Sequence, residues 1–257
     1  MKHTITKFLF SYIGSVNSSA KIAKGEKINL DTYIIYLAPW KLSGFNTCAK
    51  ASSGCIAGCL NTAGRVIMDI YNTILNARIE RTKAFYNNRA QFVNQVIKEI
   101  TRAKNKAEKN GRDFAIRLNG TSDLSPVLFQ KDGKNILEIF NDCQFYDYSK
   151  ILNRAILAQK FPNYHLTFSY SGNNWEECLK ALNDYKINVA IVFNLKKGQP
   201  LPAHYKGFKV IDGDITDYRP GDQSGCIIGL RFKKIKDKVV QSEVLKSSFV
   251  VSDFNLN

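Results

Sequence analysis

Three cysteines fall within twelve residues of one loop, residues 42–64 (LSGFNTCAKASSGCIAGCLNTAG). Six residues separate Cys48 from Cys55 and three separate Cys55 from Cys59, and most of them are Gly, Ala or Ser. Thiolates are soft ligands that select iron–sulfur clusters, zinc or Cu(I), and small residues let the backbone fold closely around a bulky inorganic group. Three thiolates also leave one position of a four-metal centre open, as a catalytic site requires. We therefore expect Cys48, Cys55 and Cys59 to hold one [4Fe-4S] cluster.

Two other interpretations of the cysteine loop stay open. Zinc would take a fourth ligand from His165, His204 or an aspartate, although the two-residue spacing of a zinc knuckle is absent. Cysteines are also commonly buried as small apolar residues. We expect that second role for the single cysteines in or beside apolar segments, Cys143, Cys178 and Cys226.

Short apolar segments alternate with helix-compatible segments, which predicts a mostly parallel sheet buried on both faces. The predicted strands are 32–37, 114–118, 144–146, 165–168, 189–193, 208–211 and 226–230. One or two amphipathic helices are predicted between residues 67 and 100, before a stop at Asn110–Gly111, and others over 133–140, 148–159 and 175–185. The connections 194–207 and 212–225 are rich in Pro and Gly and fit no crossover helix.

These elements predict one α/β domain over residues 1–257, with an N-terminal extension over residues 1–25. Its expected architecture is a partial or irregular TIM-like β/α barrel, not a regular eightfold one. Loops that follow parallel strands form the ligand face of such folds, and polar residues gather just after the predicted strands. The candidates for binding a cofactor there are Asn119, Ser122, Asp123, Asp147, Ser169 and Asp212, and those for an anionic substrate group are Arg117, Lys150 and Arg231.

The net charge is +15, from 37 Lys and Arg against 22 Asp and Glu. The excess lies mainly in residues 78–112 and 231–238, and it favours phosphate-rich partners such as nucleic acid. A solvated basic face would look the same. A protein of this kind could use the metal centre as a structural staple and the basic helix to bind nucleic acid or a host factor. The sequence does not indicate an oligomeric state.

The compartment is best predicted from the cysteines and the start of the chain. Lys2 and Lys7 precede a short apolar stretch, residues 8–16, which is at the lower limit for a secretory signal. The irregular cysteine spacing does not suggest a disulfide framework, so a reducing cytoplasm is favoured. No run of eighteen apolar residues occurs, and no membrane span is expected.

Several strings resemble a conserved family of tailed-phage proteins that is known by a gene-product number. They are LSGFNTCAKASSGCIAGCLNTAGR, RLNGTSD, QFYDYSK, NYHLTFSYSGNN and VIDGDITD, within a match that runs from about residue 19 to about residue 233. The resemblance implies a viral origin and the host cytoplasm, and it supplies no reaction.

More distantly, three cysteines after the first strand of a parallel β/α barrel are similar to the radical S-adenosylmethionine enzymes. In those enzymes the cysteines hold a four-iron cluster, and the cofactor's amino and carboxylate groups chelate the open iron. The resemblance implies that Asn119, Ser122 and Asp123 hold the methionine part. Asp147, Ser169 and Asp212 would then face the ribose or the substrate. This chain has cysteine gaps of six and three where those enzymes usually have three and two, and it lacks a Gly-Gly-Glu after the second strand.

Overall fold

One sheet of ten strands organises the residues that the computed structural model describes, which are 12–19, 22–59, 69–235 and 237–255. Its strands are β1 (Gly14–Val16), β2 (Leu30–Ile35), β3 (Asp113–Arg117), β6 (Gln144–Ser149), β7 (Tyr164–Ser169), β8 (Val189–Phe193), β9 (His204–Tyr205), β10 (Phe208–Asp212), β11 (Ile227–Arg231) and β12 (Val250–Val251). A separate hairpin pairs β4 (Gln130–Lys131) with β5 (Lys134–Asn135). The helices are α1 (Ser53–Ala57), α2 (Thr73–Asn87), α3 (Arg89–Lys109), α4 (Ile136–Ile139), α5 (Arg154–Lys160), α6 (Trp175–Asn183) and α7 (Lys238–Lys246).

The sheet is mostly parallel, and its strand order is β1-β2-β3-β6-β7-β8-β11-β10-β9. Only the two edge strands, β1 and β9, pair antiparallel to their neighbours. β12 lies outside this order and pairs parallel with the last two residues of β8. β12 pairs with the edge of β8 that faces β7, beyond the point where the β7–β8 pairing ends at Ser169 opposite Ala190.

The mixed α/β class with mostly parallel strands is confirmed, and each of the seven predicted strands is present. The expectation of missing crossover helices is also confirmed, since residues 194–203 and 213–226, all described, contain no helix. Among the described strands no pairing joins β1 to β9, so the sheet is open and no closed barrel is formed.

Three local predictions were wrong. The helix expected over 148–159 begins only at Arg154, because Tyr148 and Ser149 continue β6 and pair with β7. The helix expected over 133–140 loses its first residues to β5 and begins at Ile136, where Asn135 caps it. Residues 14–16, expected within an N-terminal extension, form β1 and belong to the sheet. Residues 1–11 of that extension, with Lys2 and Lys7, lie outside the described residues.

The two faces of the sheet differ in polarity. One face packs against α2 to α6 through an apolar core, in which Phe85, Phe92 and Phe129 are fully buried and their rings touch. α1 and α7 pack in a separate apolar cluster with Val192 of β8. The other face is more polar, and the connection between β10 and β11 covers part of it. Tyr218 of that connection packs edge-on against Tyr146 of β6. This covered face leads to the strand ends where the predicted site residues lie.

Candidate functional site

A cavity of about 260 Å³ opens at the carboxyl ends of β3, β6, β7, β8 and β11. All three cysteines of the predicted cluster loop border it. Of the other candidates, the cavity is lined by Asn119, Ser122, Asp123, Ser169, Arg117, Lys150 and Arg231. Asp147 and Asp212 are outside its lining. The parallel sheet therefore brings most of the sequence-predicted residues to one place.

The first part of the cysteine loop is fixed by hydrogen bonds to the ends of β2 and β3. Cys48 accepts the Trp40 N–H at 3.4 Å through its sulfur, which lies 3.9 Å from the Thr121 carbonyl oxygen. Thr47 donates its hydroxyl to the Ala38 carbonyl at 2.7 Å. Burial raises the pKa of the Cys48 thiol, against smaller lowering effects of the hydrogen bonds from Trp40 and Thr47.

Cys55 lies in α1, and Ser52 caps this short helix. The Ser52 hydroxyl accepts the Cys55 N–H at 3.2 Å and donates to the Ser171 carbonyl at 2.6 Å, so α1 is tied to the loop after β7. Gly54 packs so closely on the segment after α7 that a Cβ there would lie 2.6 Å from the Ser247 hydroxyl oxygen. Close helix packing is thus one reason for the small residues of this loop, besides the room for a cluster that the sequence suggested. Residues 60–68, the last part of the predicted loop, lie outside the described residues.

Lys150 joins the cysteines to the acidic side of the cavity. Its backbone N–H donates to one Asp123 carboxylate oxygen at 3.0 Å, and the other oxygen of Asp123 pairs with Arg154. Burial alone would lower the pKa of Lys150. The neighbouring Cys55 sulfur, which hydrogen-bonds the ammonium group, and the Asp123 carboxylate outweigh burial and raise it. The Lys150 ammonium is therefore held beside the thiols and is not a free cation at the surface.

Asp147 supports the cavity wall from behind. Its carboxylate is fully buried and accepts the Asn119 backbone N–H at 2.9 Å and the Asn119 side-chain amide at 3.0 Å. The Asn119 side-chain oxygen in turn accepts from the Ser122 hydroxyl and the Leu124 N–H, both at 2.8 Å. Burial raises the pKa of Asp147 to about 6, although Arg117 and the Asn119 hydrogen bonds oppose that rise. The geometry makes Asp147 a residue that positions the loop of residues 119–124.

Two of the cations predicted to meet an anionic group are already paired with carboxylates. Arg117 forms a buried ion pair with Asp217, a cavity residue on the connection between β10 and β11. Arg231 lies 2.9 Å from Asp212 and 3.3 Å from Asp214. These carboxylates come from the end of β10 and the connection after it, whose position beside β11 follows from the strand order. No spacing rule in the sequence would have paired them.

The cavity has two chemically different ends. The thiol end lies over β2, β3 and β6 and contains the three cysteines and Lys150. The apolar end lies over β8 and β11 and is lined by Ala190, Val192, Leu230, Phe232 and Phe249. The lining also includes Tyr148, whose buried hydroxyl has no hydrogen-bond partner among the described residues. The apolar end was not predicted from the sequence, because its residues look like ordinary strand and core residues.

The three cysteines border the cavity, but among the described residues no three His, Cys, Asp or Glu side chains lie close enough together to hold a metal ion. The histidines weighed as zinc ligands lie elsewhere, since His165 and His204 line two other cavities. Cys143, Cys178 and Cys226 are buried in the core, as predicted.

Fold and site define a mixed α/β protein with a thiol-lined cavity at the carboxyl edge of a mostly parallel sheet. The chain belongs to the Gene product 88 family, a phage-type gene-product family whose model matches residues 13–243. No curated protein and no solved structure matches this chain. In the described part of the chain, no helix is both long enough and apolar enough to span a bilayer.

Proposed function

We propose that this protein binds one [4Fe-4S] cluster through Cys48, Cys55 and Cys59 and a small-molecule ligand beside it. The observation that carries the proposal is that three cysteine side chains border one cavity at the strand ends of a parallel sheet. Ligands of α/β folds bind at this edge. We also propose the host cytoplasm as the compartment, because its reducing conditions keep thiols available for iron.

A more specific form of the proposal is that the protein cleaves S-adenosylmethionine reductively at this cluster. The open sheet would then serve as a partial β/α barrel that holds the site. A cluster with one accessible iron supplies an electron to a ligand bound at that iron. Around it, Asn119 and Ser122 present polar groups on a loop that Asp147 holds in place. Phe232 and Phe249 of the apolar end would exclude water from the rest of the ligand.

The test is anaerobic reconstitution followed by iron and sulfide analysis and a visible spectrum. We expect about four iron and about four sulfide per chain, and loss of most of both in Cys55→Ala. The matched control is Cys178→Ala, because Cys178 is buried in the core away from the cavity. Zinc without sulfide, or equal iron loss in both variants, would contradict the cluster.

The radical version has its own readout. Reduced, reconstituted protein should bind S-adenosylmethionine and form 5′-deoxyadenosine. A cluster-loaded protein that does neither would retain the iron–sulfur proposal and remove the radical one. If the cluster serves as a structural staple, Cys55→Ala should instead lower the free energy of unfolding, measured after reconstitution, far more than Cys178→Ala does.

A further inference from the structure

The long helix α3 carries a row of exposed cations on the flank away from the core. Lys98, Arg102, Lys106 and Lys109 are spaced by four, four and three residues, which places them on one side of a helix. All four side chains are exposed, and no carboxylate lies within ion-pair distance of them in the described part of the chain. By contrast, Lys104 on the opposite flank pairs with Glu108 and Asp142.

Helix stability explains only part of this row. Lys106 and Lys109 lie in the last turn of α3, where the helix dipole favours positive charge. Lys98 and Arg102 lie in the middle of the helix and gain nothing from that effect. At 1.5 Å per residue the row is about 16 Å long. About five consecutive phosphates of one strand of B-form DNA cover the same length.

An exposed aromatic side chain stands beside the same flank. The backbone N–H of Ile13 donates to the Glu99 carboxylate at 2.9 Å and fixes the start of β1 against α3. Glu99, Arg102 and Lys106 share one flank, since they are spaced by three and four residues. Tyr12, the residue before Ile13, therefore emerges next to the cation row, and its side chain is 69% exposed.

We infer that this surface, the α3 row formed by Lys98, Arg102, Lys106 and Lys109 with Tyr12, binds single-stranded nucleic acid. The cations would neutralise phosphates along the strand, and the Tyr12 ring offers a face on which an unpaired base can stack. A membrane surface fits less well. The other exposed side chains on this flank are the polar Gln91, Asn94, Thr101 and Asn105. The apolar face that a membrane-bound helix inserts into lipid is, in α3, buried in the core.

The surface is separate from the thiol-lined cavity, so it does not depend on the cluster proposal. No residue of the α3 row lines that cavity. A failure of the iron and sulfide analysis would therefore leave this proposal standing.

The test is fluorescence anisotropy of the full chain with labelled oligonucleotides of about 12 nucleotides, a length within the range bound by single-strand proteins. Four phosphate contacts on a single strand predict that log K falls with log salt with a slope of about −2.8. The variant Lys98→Gln, Arg102→Gln, Lys106→Gln, Lys109→Gln should lose most of that slope. Tyr12→Ala should weaken binding about fivefold or more with the slope unchanged, and Tyr12→Phe should restore it.

The matched control removes four exposed cations elsewhere, through Lys180→Gln, Lys186→Gln, Lys196→Gln and Lys197→Gln. It has the same net charge as the α3 variant and should retain the slope. Equal losses in the two variants would show only a general effect of charge and would overturn the proposed surface. So would binding to anionic lipid vesicles with none to oligonucleotides. Duplex binding as tight as single-strand binding, with no effect of Tyr12→Ala, would overturn the single-strand assignment.

Discussion

Asp147→Asn should change how the stability of this protein depends on pH. Burial raises the pKa of Asp147 from its usual 3.8 to about 6 in the folded protein. The folded protein therefore binds more protons than the unfolded chain between about pH 4 and about pH 6, and its free energy of unfolding falls as the pH rises through that window. The change in pKa corresponds to about 3 kcal/mol in full, most of it between about pH 4 and about pH 7.

The substitution removes this titration and keeps most of the local structure. The side-chain oxygen of the introduced asparagine can still accept the Asn119 backbone N–H, while its amide group loses the bond to the Asn119 side chain. That loss costs about 1 kcal/mol at every pH. Relative to the unaltered protein, the variant should therefore become more stable by about 2 kcal/mol or more as the pH rises from about 4 to about 7.

Urea unfolding at a series of pH values measures this difference directly. His165 titrates in a similar pH range, because burial lowers its pKa to about 4. Its titration makes the free energy of unfolding rise with pH, opposite to the effect of Asp147. Since both proteins retain His165, its contribution cancels when they are compared. A stability difference that is constant from about pH 4 to about pH 7 would refute the assignment of a buried, ionised Asp147.

Two further predictions concern buried carboxylates that accept hydrogen bonds or pair with an arginine. Glu99→Gln should lower the free energy of unfolding by about 3 kcal/mol, because the Glu99 carboxylate accepts two backbone N–H groups and the Tyr33 hydroxyl. Tyr33→Phe, which removes only the hydroxyl, should lower it by about 1 kcal/mol in the same urea titration. Equal effects of the two substitutions would contradict a network of hydrogen bonds to a charged Glu99. Arg117→Met should cost about 3–5 kcal/mol because it leaves the buried Asp217 charge without its arginine. Adding Asp217→Leu should recover most of that loss, and a double variant as unstable as the single one would argue against the pair.

The strands and the cysteine loop could be predicted because their signals are local. Val189–Phe193 is a strand with the predicted bounds, since five apolar residues between polar ones have few other uses. Asn110 ends α3 as its sequence suggested. The three cysteines stand out because thiols seldom gather in a Gly- and Ser-rich loop. Short elements failed instead, because strand pairing overrides local helix propensity there. β5 pairs with β4 across a tight turn, and the residues before α5 continue β6 in its pairing with β7.

The amino-acid order shows which chemical groups this protein has available: three clustered thiols, a set of polar residues after parallel strands, and an excess of positive charge. Which of these groups meet depends on the three-dimensional fold. It placed Asp147 behind the cavity, gave Arg117 and Arg231 carboxylate partners from a distant part of the chain, and added an apolar end from β8 and β11. The physical reason is that strand order and ion pairing depend on contacts between residues far apart in the chain, and a local pattern carries no record of them.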